Sequence, residues 1–378
     1  MTRVLTYLKK EIVMTLSLIL AVFSAFFVHP DKEYIEYIDV RTLVLLFCLM
    51  LVVKGFQRIG AFDMLAGMLF AKVKGSRMLI QILVGLCFVS SMFITNDVAL
   101  ITFVPFAVLA LKKCNLEKYM ILTVVLQTIA ANLGSMFTPI GNPQNLYLFG
   151  VSNMGIMEFF GITGPLTAVS FVLLFVVTVF IKKQPITMSS VREEKGEGEK
   201  PAKVTKIEVR SYVLLLILDL AVVFRLLHWG IALAVTILVA FIIKRHGLLA
   251  QVDYALLITF VGFFVFVGNV GRIPAINEMI QNLITGREIV VSALFSQGMS
   301  NVPAAILLAG FTENIKELII GTNVGGLGTL IASMASLISY KIYAETQEAK
   351  KGRYMLIFTI FNLIGLALLL GFAVVIYH

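Results

Sequence analysis

Two stretches of this chain put ligand-forming side chains into otherwise apolar sequence. Ser91-Met-Phe-Ile-Thr-Asn-Asp-Val-Ala99 sets Thr95, Asn96 and Asp97 in a row, and Ser296-Gln-Gly-Met-Ser-Asn-Val-Pro-Ala304 sets Ser300 and Asn301 in a row. Hydroxyl and amide oxygens so spaced suit a small cation, to which Thr138, Asn142 and Asn323 would add further oxygens together with unwound backbone carbonyls. A helix starting at each tip would present free backbone N–H groups and a positive dipole end, an anion site that needs no buried Arg or Lys. Asp97 is the one carboxylate in either stretch and a candidate for coupling to a proton or a cation. The bland alternative is capping. Thr95, Asn96, Ser300 and Asn301 are good N-cap residues, each stabilising a helix start by about 1 kcal/mol with no other role, and Asp97 would then be a capping carboxylate.

The elements that hold these tips belong in a membrane. With 59% hydrophobic residues, 14% charged residues and a mean hydropathy of +0.95, the 378 residues are too apolar for a water-soluble domain. Runs that fit a hydrocarbon core of roughly 30 Å cover about residues 12–28, 40–57, 118–137, 163–181, 211–227, 230–243, 253–271, 314–332 and 354–376. Two more stretches, 78–111 and 289–311, are apolar but interrupted at the tips. No small-residue cleavage site follows the first run, so it reads as a retained helix rather than a signal peptide. The net charge of +9 does not imply nucleic acid, because with a cytoplasmic N-terminus most Lys and Arg fall in inner loops, among them Lys72, Lys74, Arg77, Lys112, Lys113, Lys182, Lys183, Lys244, Arg245, Lys350 and Arg353. Cys48, Cys87 and Cys114 lie in or beside apolar runs and read as packing residues.

The hydrophilic stretch 182–210 divides the chain, and similar anchors occur in the same order on both sides of it. Gln57-Arg58-Ile59-Gly60-Ala61 matches Gly271-Arg272-Ile273-Pro274-Ala275, the Asn96 tip matches the Asn301 tip, and Asn132-Leu-Gly-Ser-Met-Phe-Thr138 matches Asn323-Val-Gly-Gly-Leu-Gly-Thr329. Counting spans from a cytoplasmic N-terminus, the run before Arg58 goes inward and the run before Arg272 goes outward, so the repeats are inverted. The expected fold is an all-α polytopic membrane protein of two inverted-topology repeats. Repeat 1–181 holds a re-entrant hairpin at 78–111 and a broken helix at 118–150, 182–210 is a cytoplasmic linker, and repeat 211–378 holds a hairpin at 289–311 and a broken helix at 314–345. Pro139 and Pro143 break the first of these helices; Gly321, Gly325, Gly326 and Gly328 break the second. Irregular backbone at this depth must line a site or be packed in protein.

Ile94-Thr-Asn-Asp-Val-Ala-Leu100, Gly134-Ser-Met-Phe-Thr-Pro-Ile-Gly-Asn-Pro-Gln-Asn145, Ser296-Gln-Gly-Met-Ser-Asn-Val-Pro303 and Asn323-Val-Gly-Gly-Leu-Gly328 also resemble the citrate/arsenite branch of the ion transporter superfamily. The likeness is greatest to its uncharacterised bacterial inner-membrane anion transporters and spans nearly the whole chain. It implies an elevator-type carrier, commonly a homodimer, with a scaffold and a mobile domain bearing the hairpins and broken helices. Sodium-coupled dicarboxylate relatives carry Ser-Asn-Thr at each tip. Here Asp97 and Val302 replace the final threonines, which sets dicarboxylate specificity and the sodium sites in question and tilts coupling toward protons, as in arsenite-exporting relatives.

The function expected is secondary active transport of a small anion, a carboxylate or inorganic oxyanion, coupled to H+ or Na+ in the bacterial inner membrane. Arsenite or metalloid efflux and Na+/H+ antiport are the alternatives, and a passive channel is a further one. Substrate binding is expected at Thr95, Asn96, Thr138, Gly141, Asn142, Ser300, Asn301, Asn323 and Thr329, and coupling at Asp97, Asn96 and Asn301. No cofactor is expected apart from a bound Na+, no metal centre, and no partner beyond substrate, lipid and a second copy. An enzyme is not expected, since His29, His228, His246 and His378 sit in loops or at ends and form no HExxH helix. Asp219 reads as a buried polar contact, and Arg58 and Arg272 as snorkelling or packing residues.

Overall fold

The computed structural model describes residues 11–62, 64, 67, 73–186, 205–243, 245–347 and 349–377. Its helices, in chain order, are α1 (Ile12–Ala25), α2 (Val40–Arg58), α3 (Ser76–Ile94), α4 (Asn96–Lys113), α5 (Met120–Ser135), α6 (Pro143–Val151), α7 (Ile156–Val179), α8 (Lys206–Val223), α9 (Trp229–Ile242), α10 (Tyr254–Gly271), α11 (Pro274–Ile284), α12 (Glu288–Met299), α13 (Asn301–Ala309), α14 (Ile315–Val324), α15 (Met334–Ala344) and α16 (Lys351–Tyr377). Helices α2, α3, α7, α10 and α16 are long and apolar enough to cross a bilayer, and α1 and α9 are shorter apolar helices. The chain is an all-α multi-pass membrane protein.

Local chemistry sets the ends of these helices. Asp39 and Asp253 cap α2 and α10 by accepting from the amides of Thr42 and Leu256 at 3.1 and 3.0 Å, and Asn142 caps α6 with Pro143 in its first turn. Thr205 and Glu208 form a capping box that starts α8 at Lys206, so the last residues of the stretch expected as linker are helical. The rest of that stretch, 187–204, lies outside the described residues, as do the first ten residues. Helix α11 was not expected from the sequence. It is amphipathic, with Ile276, Met279, Ile280, Leu283 and Ile284 on one side and Ile280 and Ile284 buried.

Each apolar hairpin is a pair of helices meeting at one residue, α3 and α4 at Thr95 and α12 and α13 at Ser300. Each broken helix is a pair separated by a loop, α5 from α6 by 136–142 and α14 from α15 by 325–333. The halves pack alike: α3 lies along α5 and α12 along α14, while α15 packs on α4 and α6 packs on α13. The second segment of each broken helix therefore rests on the hairpin of the other half. Close approach needs glycine at matching places. A Cβ on Gly134 would strike the Phe88 carbonyl and Ser91 Oγ, and one on Gly325 would meet Ala293 Cα and Ser296 Oγ at 2.8 Å.

Polar ties gather the helix ends into two groups. In one, Ser76 Oγ and Arg77 Nε donate to the carbonyls of Lys182 and Ile181, each at 2.8 Å, and Arg245 pairs with Glu208 at 2.6 Å. In the other, Arg272 pairs with Asp31 at 2.7 Å and Glu33 at 3.3 Å, and Arg41 donates to the Val222 carbonyl at 3.0 Å. Arg225 donates to the carbonyls of Phe149 and Ser152, and Lys316 pairs with Glu158 at 2.6 Å. Arg272 is thus an ion-pair residue rather than a snorkelling one, and its hydrogen bond holds the Asp31 carboxyl below its ordinary range.

Gly134→Ala is expected to cost about 2–3 kcal/mol by overpacking, read as a lower melting temperature of the detergent-purified protein. Gly85→Ala, where a Cβ meets nothing within 4 Å, is the control and should be neutral or stabilising by about 0.5–1 kcal/mol.

Candidate functional site

The two tips have one backbone geometry. Thr95 has φ 67° and ψ 151° and Ser300 has φ 76° and ψ 153°, a region that is strained for residues with a Cβ. Both occupy the N-cap position of the second arm, yet neither side chain makes a capping hydrogen bond. Asn96 N–H donates to the Gly141 carbonyl at 3.2 Å and Asn301 N–H to the Ala332 carbonyl at 2.9 Å. This corrects the expectation that every N–H at these helix starts is free for an anion: the extended turn at each tip presses the first amide against a loop carbonyl, which takes it.

The third anchors pin the loops to the tips by the same contacts. Thr138 Oγ1 donates to the Met92 carbonyl, and Thr329 Oγ1 donates to the Gln297 carbonyl at 2.9 Å. Behind the tips lies a network of buried amides. Asn96 Nδ2 donates to Asn132 Oδ1 at 3.1 Å, while Asn96 Oδ1 accepts from the amide of Asp97 at 3.0 Å. Across the halves, Asn142 Nδ2 donates to Asn323 Oδ1 at 3.0 Å, and Ser333 Oγ donates to Asn132 Oδ1 at 2.9 Å. Asn142 and Ser333 start α6 and α15, and Asn132 and Asn323 lie in α5 and α14. The exchange is reciprocal.

The structure therefore brings together Thr95, Asn96, Thr138, Gly141 and Asn142 on one side and Ser300, Asn301 and Asn323 on the other, with the four asparagines at most 5% exposed. Thr329 reaches the same loop but is exposed. Asn145 and Gln297 complete the network and were not singled out as site residues from the sequence. Asn145 Nδ2 donates to the carbonyls of Met136 and Thr138 at 3.1 and 3.2 Å, and its Oδ1 accepts from Asn323 at 2.6 Å. Gln297 Nε2 donates to the carbonyls of Gly325 and Leu327, each at 2.9 Å. The only signal for each was its place in a quoted run, Asn145 at the end of the first loop motif and Gln297 in the second tip segment.

A cavity of about 140 Å³ opens beside the first tip, lined by Lys54 of α2, Thr95, Asp97, Asn142 and Asp253, with apolar walls from Leu46, Leu49, Met50, Val53, Val98, Ile101, Ile140, Pro143, Leu146, Leu256 and Ile338. Asp97 is half-buried and faces this space. On the other side α10 packs on α13, with Val267 against Gly310. Asp219 lies apart from the tips, fully buried on α8, and among the described residues neither carboxylate oxygen has a hydrogen-bond partner, contrary to the polar contact expected of it. Among the described residues no group of His, Cys, Asp and Glu could hold a metal ion.

Residues 3–317 match the citrate transporter family. The chain is 30% identical to an uncharacterised transporter of Methanocaldococcus jannaschii over 90% of this chain and 91% of that protein. It is 28% identical to the inner membrane protein YbiR of Escherichia coli over 84% of each. A 141-residue stretch, 36% of this chain and 24% of the relative, is 27% identical to the putative transporter arsB of Dictyostelium discoideum.

Asn145→Ala would strand two buried carbonyls and the Asn323 amide, and should cost about 3 kcal/mol of stability, measured by thermal melting in detergent. Ser300→Gly relieves the tip strain and should stabilise the protein by about 1 kcal/mol while lowering transport. Ser300→Ala, which keeps the strain and loses the hydroxyl, should lower transport with no gain in melting temperature.

Proposed function

The chain belongs to the citrate transporter family and is a membrane transporter, and on that premise we propose that it moves a small anion, a carboxylate or inorganic oxyanion, by secondary active transport coupled to H+ or Na+. The observation that carries this reading is the reciprocal closure of two matched broken elements around buried asparagines, with a cavity on one side that reaches Asp97. A polar, packed centre flanked by two matched halves suits a carrier, whose site is exposed to one face at a time, better than a continuous pore.

In the proposed topology the N-terminus is cytoplasmic, residues 1–181 and 211–378 are inverted repeats, and 182–210 connects them on the inner side. The polar ties between helix ends support it, since each joins ends that this topology places on one face. The group holding Ser76, Arg77, Lys182 and Arg245 is taken as the inner one because the segments on its side in this topology carry Lys74, Lys112, Lys113, Lys182 and Lys183 as well. Helices α12 and α13, about 18 and 14 Å long, are too short to cross the hydrocarbon core and suit a re-entrant hairpin entering from outside. Helix α3 has the length to cross. The tie of its first residues to the end of α7, with Lys112 and Lys113 closing α4, suits a hairpin entering from inside. In this topology Lys54 near the end of α2 and Asp253 at the start of α10 lie toward the cytoplasmic side, and we take the present arrangement as the inward-facing form.

The mechanism follows from these parts. Backbone amides at the half-helix starts beyond the first residue, with Thr95 and Asn142, hold the anion, and Asp97 carries the coupling ion. Movement of the hairpins and broken helices as one body against α2 and α10 would close the inner cavity and open an outer one, with a second copy steadying the scaffold. Arsenite efflux is the second reading, favoured by the relative named arsB and by Asp97 at the tip.

Proteoliposome uptake of citrate, succinate, sulfate and arsenite at varied pH and Na+ tests the proposal. Saturable, gradient-driven flux of one anion supports it; collapse of a sodium gradient with no anion moved would establish antiport instead. Asp97→Asn should abolish gradient-driven accumulation, by at least about tenfold for loss of a coupling carboxylate. Unchanged pH and Na+ dependence in that variant removes Asp97 from coupling.

A further inference from the structure

We propose that Lys54 supplies the positive charge that holds the transported anion, with the charge on Asp97 in the same cavity deciding when it does so; this deepens the anion reading above and rests on it. The argument begins with the match between α2 and α10. Asp39 and Asp253 cap them by the same contact, and their ends carry the matching anchors at Arg58 and Arg272. Two charges break the correspondence. One turn before these arginines, Lys54 stands in α2 where Gly268 stands in α10, and after the tip asparagines Asp97 stands where Val302 stands. The two charges that the other half lacks are opposite in sign, come from different elements, and line the same cavity.

The second position is closed to a side chain. A Cβ on Gly268 would run into the Tyr37 ring, so the charge is confined to the half where a cavity accompanies it. Gln57, one turn beyond Lys54 on α2, donates to Thr102 Oγ1 on α4 at 3.2 Å and turns this face of α2 toward the hairpin. Lys54 takes part in no ion pair among the described residues. An unpaired ammonium against largely apolar walls is costly, and whatever negative charge reaches it is favoured.

The charge count then links anion to coupling. Lys54, Asp97 and Asp253 are the ionisable groups in the lining, contributed by α2, α4 and the start of α10; α6 and α15 contribute none. Asp253 is engaged with the amide of Leu256. With both carboxylates ionised the cavity is net negative, which opposes an anion beside Lys54. When Asp97 takes a proton from solution, the cavity becomes neutral and that opposition is removed. Anion and proton then bind together.

The test uses full-length protein in proteoliposomes, Lys54→Gln and Lys54→Arg beside wild type, with the anion from the citrate, succinate, sulfate and arsenite panel that wild type moves. Lys54→Gln should raise KM by about ten- to a hundredfold, the loss of one charge-assisted contact, with a smaller change in kcat, while Lys54→Arg stays within about threefold of wild type. Wild-type KM should rise with pH, and Asp97→Asn should remove that dependence. Should Lys54→Gln prove unstable in detergent, Lys54→Arg carries the test through protection of the protein against heat by the same anion, which charge retention should preserve. A wild-type KM in Lys54→Gln overturns this inference and leaves the transport reading standing, as does a loss in Lys54→Arg equal to that in Lys54→Gln. Failure of wild type to move any anion overturns both.

Discussion

Backbone polar groups that leave the helical pattern deep in an apolar protein must find partners, and the rest of this structure depends on how they do so. Two loops and two tips interrupt helices at its centre, and an unpartnered amide or carbonyl there costs several kcal/mol. The halves solve the problem differently. In the first, Asn145 reaches back from α6 to the carbonyls of its own loop; in the second, Gln297 reaches over from the hairpin to the carbonyls of Gly325 and Leu327. The tip amides of Asn96 and Asn301 take the carbonyls of Gly141 and Ala332. Each hairpin is therefore fastened to the broken helix of its own half by its tip, and to that of the other half by helix packing. Backbone contacts tie each hairpin to its own loop, and helix packing with the Asn142–Asn323 and Ser333–Asn132 hydrogen bonds ties the halves to each other.

Much of this arrangement was legible in the chain, because it follows from local chemistry. Polar tips in apolar runs, prolines and glycines at the breaks, and anchors repeated in order located the paired helices, the loops and the clustering of Asn96, Asn142, Asn301 and Asn323, while Asn132 was singled out only as the start of an anchor. What escaped depends on neighbours that sequence spacing does not reveal. Lys54, close to Arg58 at the end of an apolar run, looks like a snorkelling residue until α2 is laid against the first tip. Asp253 looks like a simple cap, which it is, but one that borders a cavity. The tip amides were expected free because a helix start normally leaves them so; the positive φ of Thr95 and Ser300 redirects them into the loops. Helix α11 was missed although Ile276, Met279, Ile280, Leu283 and Ile284 recur at helical spacing, because it is short and lies outside the long apolar runs that mark membrane spans.

The tips also show why capping and ligand binding are not equivalent readings. A capping Ser or Thr turns its hydroxyl onto the helix it starts. Thr95 and Ser300 do not, and both hold a backbone conformation that is unfavourable by about 1–3 kcal/mol and is kept only because surrounding contacts determine it. Glycine would relieve that strain, so the side chains at these positions serve something other than stability. Thr95 borders the cavity, which gives its hydroxyl a place to act.

Similarity between the halves bears on energy as well as shape. In a carrier of the kind proposed, two exchanged arrangements of matched elements, one with a cavity between α2 and the first tip and α10 packed on α13 and the other reversed, differ little in packing because the same contacts are made in either half. Near-equal packing leaves the balance to the residues that are not matched. Tyr37 over Gly268 favours the tight side of the present arrangement, and the charges of Lys54 and Asp97 sit on the loose side, where removing them from water to close the cavity is unfavourable unless both are neutralised. A matched scaffold with unmatched charges can thus make the exchange conditional on what the cavity holds, since closing it over a balanced set of charges costs least.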